Sequence, residues 1–145
     1  RLFHMRGVAY KSYNLAREVF KMKEDVARSL FVMGLTHDFA YAFVKNQTDH
    51  EHEGGRILEI SGFNWANSVF NHGDPDADDW ADELLILNLA DMTTSPDGKP
   101  ITIGQRLEDI ENRYGTNSIQ ATKARKLTKR IKEELSERNL TIPNL

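Results

Sequence analysis

The segment 23–38 reads KEDVARSLFVMGLTHD and carries the helical pattern that decides the fold. Its side chains Val26, Leu30, Met33 and His37 recur at i, i+4, i+7 and i+11, the spacing at which residues share one face of an α-helix. A soluble helix buries such a stripe against the rest of the protein. We therefore predict a helix from Lys23 to about Val44, with this face in the core.

Helical spacing continues on both sides of this segment, and no stretch shows the strict alternation of a half-buried strand. Thr102 and Gln105 have the spacing of a capping box, and Ser95–Lys99 has the composition of a turn. The predicted helices cover about 2–22, 23–44, 50–60, 64–71, 76–92, 102–115 and 118–138. The sequence therefore predicts an all-α protein, a compact single-domain bundle of about six to seven helices.

Length and composition restrict the class of protein. The 145 residues fit one domain. The absence of cysteine excludes disulfides, zinc–thiolate sites and thiol nucleophiles. No apolar run approaches the roughly 18 residues of a membrane helix, and no segment resembles a signal peptide. We therefore expect a soluble, cytoplasmic protein without a membrane partner.

The net charge is −3, and the charged residues are unevenly distributed along the sequence. Between Arg56 and Lys99 there are nine acidic residues and no basic one, whereas Lys123–Arg138 has seven basic and three acidic residues. Such runs are most often solvated surface, and so we expect no nucleic-acid partner. The alternative is a basic helix that attracts nucleic acid or guides an anionic substrate. The oligomeric state is left open, a homodimer included.

Three predicted apolar helix faces end in a residue type that binds metals. His37 follows Met33 at i+4, His72 follows Val69 at i+3, and Asp91 follows Leu87 at i+4. A buried imidazole or carboxylate is unfavourable unless a hydrogen bond, an opposite charge or a metal meets it. Each residue alone fits a core histidine or a paired aspartate. Because the pattern recurs on three helices, we give a transition-metal site the same weight as the alternative of core histidines and a paired aspartate.

The order of these residues adds a resemblance. His4, the pair His37-Asp38 and Asp91 follow the pattern H…HD…D, in the local contexts HMRGVA (4–9) and GLTHDFA (34–40). This pattern resembles the HD-domain superfamily of metal-dependent phosphohydrolases, which have an all-α fold. The resemblance implies one HD-like domain over 1–145, with a metal-site core of about 2–95 and a C-terminal helical extension of about 102–138.

Two further segments, HEHEGGRIL (50–58) and FNH (70–72), resemble HD proteins that carry two metals. The resemblance implies one or two divalent ions of iron, manganese, cobalt, nickel or zinc. The implied ligands are His4, His37, Asp38 and Asp91 for one ion, and His50, His72 and a bridging Asp38 for the other. Asp38 would also position the hydroxide that the metals generate, and His52 would be a bystander.

The implied activity is hydrolysis of a phosphoester or phosphoanhydride, with a phosphorylated small molecule, a nucleotide in the first place, as substrate. Many family members have a lysine three residues after the HD aspartate, where this chain has Tyr41. We therefore name Lys45, Arg56 and Arg6 as substrate-binding candidates. The alternative is a catalytically silent nucleotide-binding sensor or protein-interaction domain, and a third hypothesis is a di-iron oxygenase.

Overall fold

The structure, a computed structural model, describes residues 1–39, 52–53, 56 and 65–145. Within these ranges it is helical, with no β-strand and one isolated bridge between Thr94 and Pro100. The elements are α1 (Leu2–Asn14), a π-helical turn (Leu15–Val19), α2 (Glu24–Thr36), α3 (Ala66–Asn71), α4 (Asp82–Met92), α5 (Ile103–Tyr114) and α6 (Ile119–Glu137). The predicted all-α fold is confirmed. No described helix is long and apolar enough to cross a membrane.

Helices α1 and α2 pack closely because α2 has a glycine at the contact. A Cβ added to Gly34 would lie 2.7 Å from the Cα of Ala9, so any larger residue would force the helices apart. Leu30 and Met33 on α2 are fully buried, and so is Val8 on α1. The apolar face predicted for α2 is therefore in the core.

Helix α2 ends earlier than its periodicity predicts. It stops at Thr36, and His37 and Asp38 lie in the turn that follows. In a continuing helix the carbonyl of Gly34 would accept the N–H of Asp38, but the His37 imidazole donates to it instead. The predicted continuation to Val44 is wrong at this turn, and its remainder lies outside the described residues.

Helix α4 forms the centre of the bundle. All of its residues from Leu84 to Ala90 are buried, and it packs against α1, α2, α3 and α6. A helix that is apolar on nearly every side is stable only in such a position. Asp91 follows directly at its C-terminal end, so the core fixes the position of this carboxylate.

The predicted start of α4 at Asp76 is wrong, because α4 begins at Asp82. Arg130 of α6 and Arg138, which directly follows that helix, bind the preceding backbone and occupy carbonyls that a helix would use for its own hydrogen bonds. Arg130 donates to the carbonyls of Pro75, Ala77 and Asp78, and Arg138 donates to that of Trp80. Trp80 thus lies before the helix, although it is buried.

Helices α5 and α6 form a hairpin at the C-terminal end. The predicted capping box is present, since Thr102 accepts from the Gln105 amide and the Gln105 side chain accepts from the Thr102 amide. Helix α5 ends before Gly115, whose φ of 98° favours glycine. The buried face of α6 includes Ala124, Leu127, Ile131 and Leu135, which recur at helical spacing.

Candidate metal centre

Three buried histidines at the ends or sides of different helices share one orientation. His4 lies on α1, His37 follows α2 and His72 follows α3, and none is more than 3% exposed. Each Nδ1 donates to a backbone carbonyl: Ser95 O for His4 at 3.0 Å, Gly34 O for His37 at 2.6 Å and Val69 O for His72. Because a carbonyl only accepts, each Nδ1 carries a proton. Each Nε2 therefore faces the interior of the site, as in many metal-binding histidines.

The turn Ser95–Lys99 positions the Ser95 carbonyl, to which His4 donates its hydrogen bond. Its backbone is closed by a hydrogen bond from the Gly98 amide to the Ser95 carbonyl, at 2.9 Å. A Cβ added to Gly7 on α1 would lie 2.5 Å from the Gly98 carbonyl oxygen. Glycine at position 7 thus lets α1 touch this turn, and the contact aligns the His4 ring.

Two carboxylates face the three Nε2 atoms. Asp38 Oδ2 lies 3.5 Å from His37 Nε2 and 3.9 Å from His4 Nε2, and Asp38 Oδ1 lies 3.7 Å from His72 Nε2. Asp91 Oδ1 lies 2.9 Å from His4 Nε2 and 3.8 Å from His37 Nε2. Two ligands each about 2.1 Å from one ion lie at most about 4.2 Å apart. Every one of these pairs is therefore close enough to share an ion.

Together these residues form one cluster, which comprises His4, His37, Asp38, His72 and Asp91. Its electrostatics favour a positive charge at its centre. Burial lowers the pKa of His37, but the carboxylates of Asp38 and Asp91 outweigh it and raise that pKa to about 9. Burial likewise raises the pKa of Asp91, yet the imidazoles of His37 and His4 hold it well below its ordinary value. Arg1 Nη1 donates to Asp38 Oδ2 at 2.8 Å.

The donor atoms fit a divalent transition metal. They form two overlapping groups, His4 with His37 and Asp91, and His37 with Asp38 and His72. Among the described residues, His37 Nε2 is a buried nitrogen without a hydrogen-bond partner, which is unfavourable unless a ligand meets it. Imidazole and carboxylate together suit iron, manganese, cobalt, nickel or zinc. These buried residues could therefore hold a metal ion.

The remaining predicted site residues are placed elsewhere or not described. His50, Lys45 and Tyr41 lie outside the described residues. His52 is exposed and stacks on Phe70, with ring centroids 4.6 Å apart. Arg56 is exposed and pairs with Glu53 at 3.1 Å, and Arg6 is exposed on α1. In the part of the chain that the structure describes, neither Arg6 nor Arg56 contacts the cluster.

A cavity of about 350 Å³ opens beside the cluster and adds residues that the sequence analysis did not assign to the site. Its lining comprises Arg1, His4, Asp38, Asp91, Pro96, Arg106, Asp109, Ile110, Arg113 and Tyr114. Helix α5 supplies half of these residues, although it belongs to the predicted C-terminal extension. The lining residues of α5 recur three or four positions apart, which places them on one face of a helix, and this pattern in the sequence could have indicated them. That this face borders the same cavity as His4 of α1 is a tertiary feature that no local pattern carries.

Comparisons with protein-family models, with curated proteins and with solved structures found no significant match. The resemblance to the HD-domain superfamily therefore rests on the residues of the sequence itself. Membership of that superfamily stays a prediction, and the geometry of the cluster is a separate line of support for a metal site.

Proposed function

We propose that this protein is a metal-dependent phosphohydrolase that cleaves a phosphoester or phosphoanhydride, with a nucleotide as the leading substrate class. One observation carries the proposal: a buried cluster of imidazoles and carboxylates forms one wall of a cavity whose other walls hold arginines. Carboxylate and imidazole bind a divalent cation, and arginine binds phosphate. The metal ligands and the phosphate-binding cations that metal-assisted phosphate chemistry requires therefore line the same cavity.

The ligands for such a metal would be His4, His37, Asp38, His72 and Asp91, with His50 as a sixth from the sequence pattern. Bound there, a divalent ion supplies a Lewis acid that polarises a phosphoryl oxygen and lowers the pKa of water from about 15.7 to about 7. Asp38 suits a bridging position because its Oδ2 faces His4 and His37 while its Oδ1 faces His72.

The chain's own groups would orient the reaction. Backbone carbonyls hold the His4 and His37 rings with Nε2 toward the carboxylates, and so the ligands need little rearrangement. Asp38 is buried, with 5% exposure, and Asp91 is half-buried beside the cavity. A substrate phosphate entering the cavity would therefore reach Asp38, Asp91 and His4, while the imidazoles of His37 and His72 stay behind them in the core.

The organic part of the substrate has a suitable surface at the same cavity. Tyr114 is 50% exposed, and Ile110 lies one helical turn before it on α5. An exposed aromatic ring next to an aliphatic side chain can stack a flat apolar group such as a nucleobase. This supports a nucleotide over a small inorganic phosphate compound, and it needs no residue outside the described part of the chain.

The deciding experiment is an activity screen with metal-loaded protein. Protein incubated with manganese or iron would be assayed against phosphomonoesters, dinucleoside polyphosphates and cyclic dinucleotides, with release of phosphate or nucleoside as the readout. Hydrolysis that requires metal supports the proposal. Metal-loaded protein that hydrolyses nothing in the panel contradicts it and favours the nucleotide-binding sensor. Oxygen consumption with a polyol or phosphonate would favour the oxygenase.

A further inference from the structure

Helix α5 presents two arginines on the face that lines the cavity. Arg106 and Arg113 are seven residues apart, which is close to two helical turns, and both line the cavity with His4, Asp38 and Asp91. Neither was named as a substrate-binding candidate from the sequence. Because both arginines border the same cavity as the carboxylates of Asp38 and Asp91, they are available to an anion bound next to the metal ligands.

Asp109 lies between the two arginines and contacts both. Its Oδ2 is 3.5 Å from Arg106 Nη1, and its Oδ1 is 3.3 Å from Arg113 Nε. One carboxylate thus orients two guanidinium groups toward the same cavity. These distances are long for charge-assisted hydrogen bonds, so most of the N–H groups keep their capacity for another acceptor.

Arg106 has a donor that the protein does not use. Its side chain is 17% exposed, and among the described residues its Nε is a buried donor without a hydrogen-bond partner. A buried N–H of a guanidinium without an acceptor is unfavourable. A phosphate oxygen is an acceptor that fits the planar guanidinium fork.

The charges around the cavity also favour an anion once a metal is bound. Three arginines and three aspartates line it, so their formal charges balance. A divalent ion held by Asp38 and Asp91 would leave the arginines in excess. The lining would then carry a net positive charge within a partly enclosed space, which strengthens attraction for an anion.

We propose that Arg106 and Arg113, oriented by Asp109, form a phosphate-binding subsite on α5 that holds a phosphoryl group of the substrate beside the metal ligands. The subsite would serve the role for which the sequence analysis named Lys45, Arg56 and Arg6, of which Lys45 lies outside the described residues. Asp109 is a positioning residue, because it acts through the two arginines. The identity of the bound phosphate as substrate rests on the proposed function, whereas the binding of phosphate itself does not.

The test is calorimetric titration of inorganic phosphate into the full chain, both without added metal and after incubation with manganese. Arg113→Gln removes a cation whose side chain is 50% exposed, so this variant should fold normally. Arg106→Gln probes the more buried partner, and Arg113→Lys keeps the charge but not the planar fork. Arg28→Gln is the matched control, since its side chain is 76% exposed on α2 and does not line the cavity.

We expect Arg113→Gln and Arg106→Gln each to weaken phosphate binding about tenfold or more, Arg113→Lys to weaken it less, and Arg28→Gln to leave it unchanged. A merely structural role for the arginines would lower the melting temperature without changing phosphate affinity in folded protein. Phosphate binding that is absent from the parent in both metal states, or that is equal in Arg113→Gln and the parent, would overturn the subsite.

The two proposals fail in different ways. If the parent binds phosphate through Arg113 but hydrolyses no compound of the panel, the proposed function fails and the subsite stands. If metal-dependent hydrolysis occurs with an unchanged KM in Arg113→Gln and unchanged phosphate affinity, the function stands and the subsite fails.

Discussion

His4 Nε2 lies 2.9 Å from Asp91 Oδ1, although 87 residues separate the two in the sequence. The contact joins the first helix to the C-terminal end of the buried central helix α4. Because α4 is held by core packing on nearly all sides, Asp91 is a rigid reference point to which α1 must dock. The same contact aligns one imidazole with the carboxylate edge of the cavity, so folding of the core and assembly of the candidate site are coupled.

Replacement of Asp38 by alanine should remove bound metal. Its two oxygens face three imidazoles, and no other described residue takes that central position. We expect metal affinity to fall by at least about 100-fold, with activity lost in parallel. His52→Ala is the matched control, because His52 is exposed and stacks on Phe70. Elemental analysis of both purified variants beside the parent measures the effect, and undiminished metal in Asp38→Ala would disprove the site.

Metal should stabilise the folded protein through Asp91. A ligand at about 100 times its dissociation constant stabilises the native state by about 2.7 kcal/mol, so manganese should raise the melting temperature and a chelator should reverse the rise. Asp91→Asn should abolish most of this shift because the carboxylate next to His4 is lost. Asp25→Asn, on the exposed side of α2, should keep it. An equal manganese shift in both variants would contradict the assignment of Asp91.

A methyl group at Gly34 should destabilise the protein. The added Cβ would lie 2.7 Å from Ala9 Cα, so α1 and α2 must separate, at a cost of about 1–3 kcal/mol. Gly104→Ala is the matched control, since the nearest heavy atom to its Cβ would be Thr102 Oγ1 at 3.8 Å. Alanine there should be neutral or stabilise α5 by about 0.5–1 kcal/mol. Urea unfolding of the two variants checks this, and similar stabilities would show that the helix contact tolerates expansion.

Glu134 should make stability depend on pH in the acid range. Burial raises the pKa of its carboxyl, but hydrogen bonds from Arg138 at 2.6 Å and Arg130 at 2.9 Å outweigh it and hold that pKa below its ordinary value of 4.5. A carboxyl with a lowered folded-state pKa contributes stability that is fully present above 4.5 and is lost as the pH falls below it. We therefore expect the protein to lose stability below that pH.

Glu134→Gln isolates this contribution. The free energy of unfolding of this variant should be about 1–3 kcal/mol lower at neutral pH, because two arginines lose their charged partner. It should also fall less steeply than that of the parent as the pH is lowered. Glu133→Gln is the control, since Glu133 is exposed and pairs loosely with Lys129 at 3.9 Å. Urea unfolding from neutral to acid pH measures both variants. If Glu134→Gln keeps the parent's pH dependence, the carboxylate is not the group responsible.

Most helix boundaries could be predicted because they are set by neighbours in the sequence. The Thr102–Gln105 capping box and the stop at Gly115 depend on local hydrogen bonds and on a positive φ. The two boundary errors have different causes: α2 ends early at a local hydrogen bond from His37 to the Gly34 carbonyl, whereas the late start of α4 has a tertiary cause. Helix α4 begins at Asp82 because Arg130 and Arg138, 50 residues or more away, bind the carbonyls before it.

The candidate site likewise has a part that the sequence could predict and a part that it could not. Five of the six predicted ligands are described, and they form two overlapping groups that share His37, because helical spacing placed His37, His72 and Asp91 at the ends of faces that the core must bury. Arg106 and Arg113 were not assigned to the site, because their pattern on α5 is that of an ordinary solvated face. Only the tertiary structure brings that face to the same cavity as His4 of α1.

By itself, the sequence determined the all-α class, the buried stripes and the residue types able to bind a metal, because hydrophobic periodicity and ligand chemistry are local properties. The tertiary structure alone decided which nitrogen of His4, His37 and His72 faces inward, how close the carboxylates lie and which cations share their cavity. These depend on backbone carbonyls and helices distant in sequence, and their relative positions are set by core packing, which has no local signature.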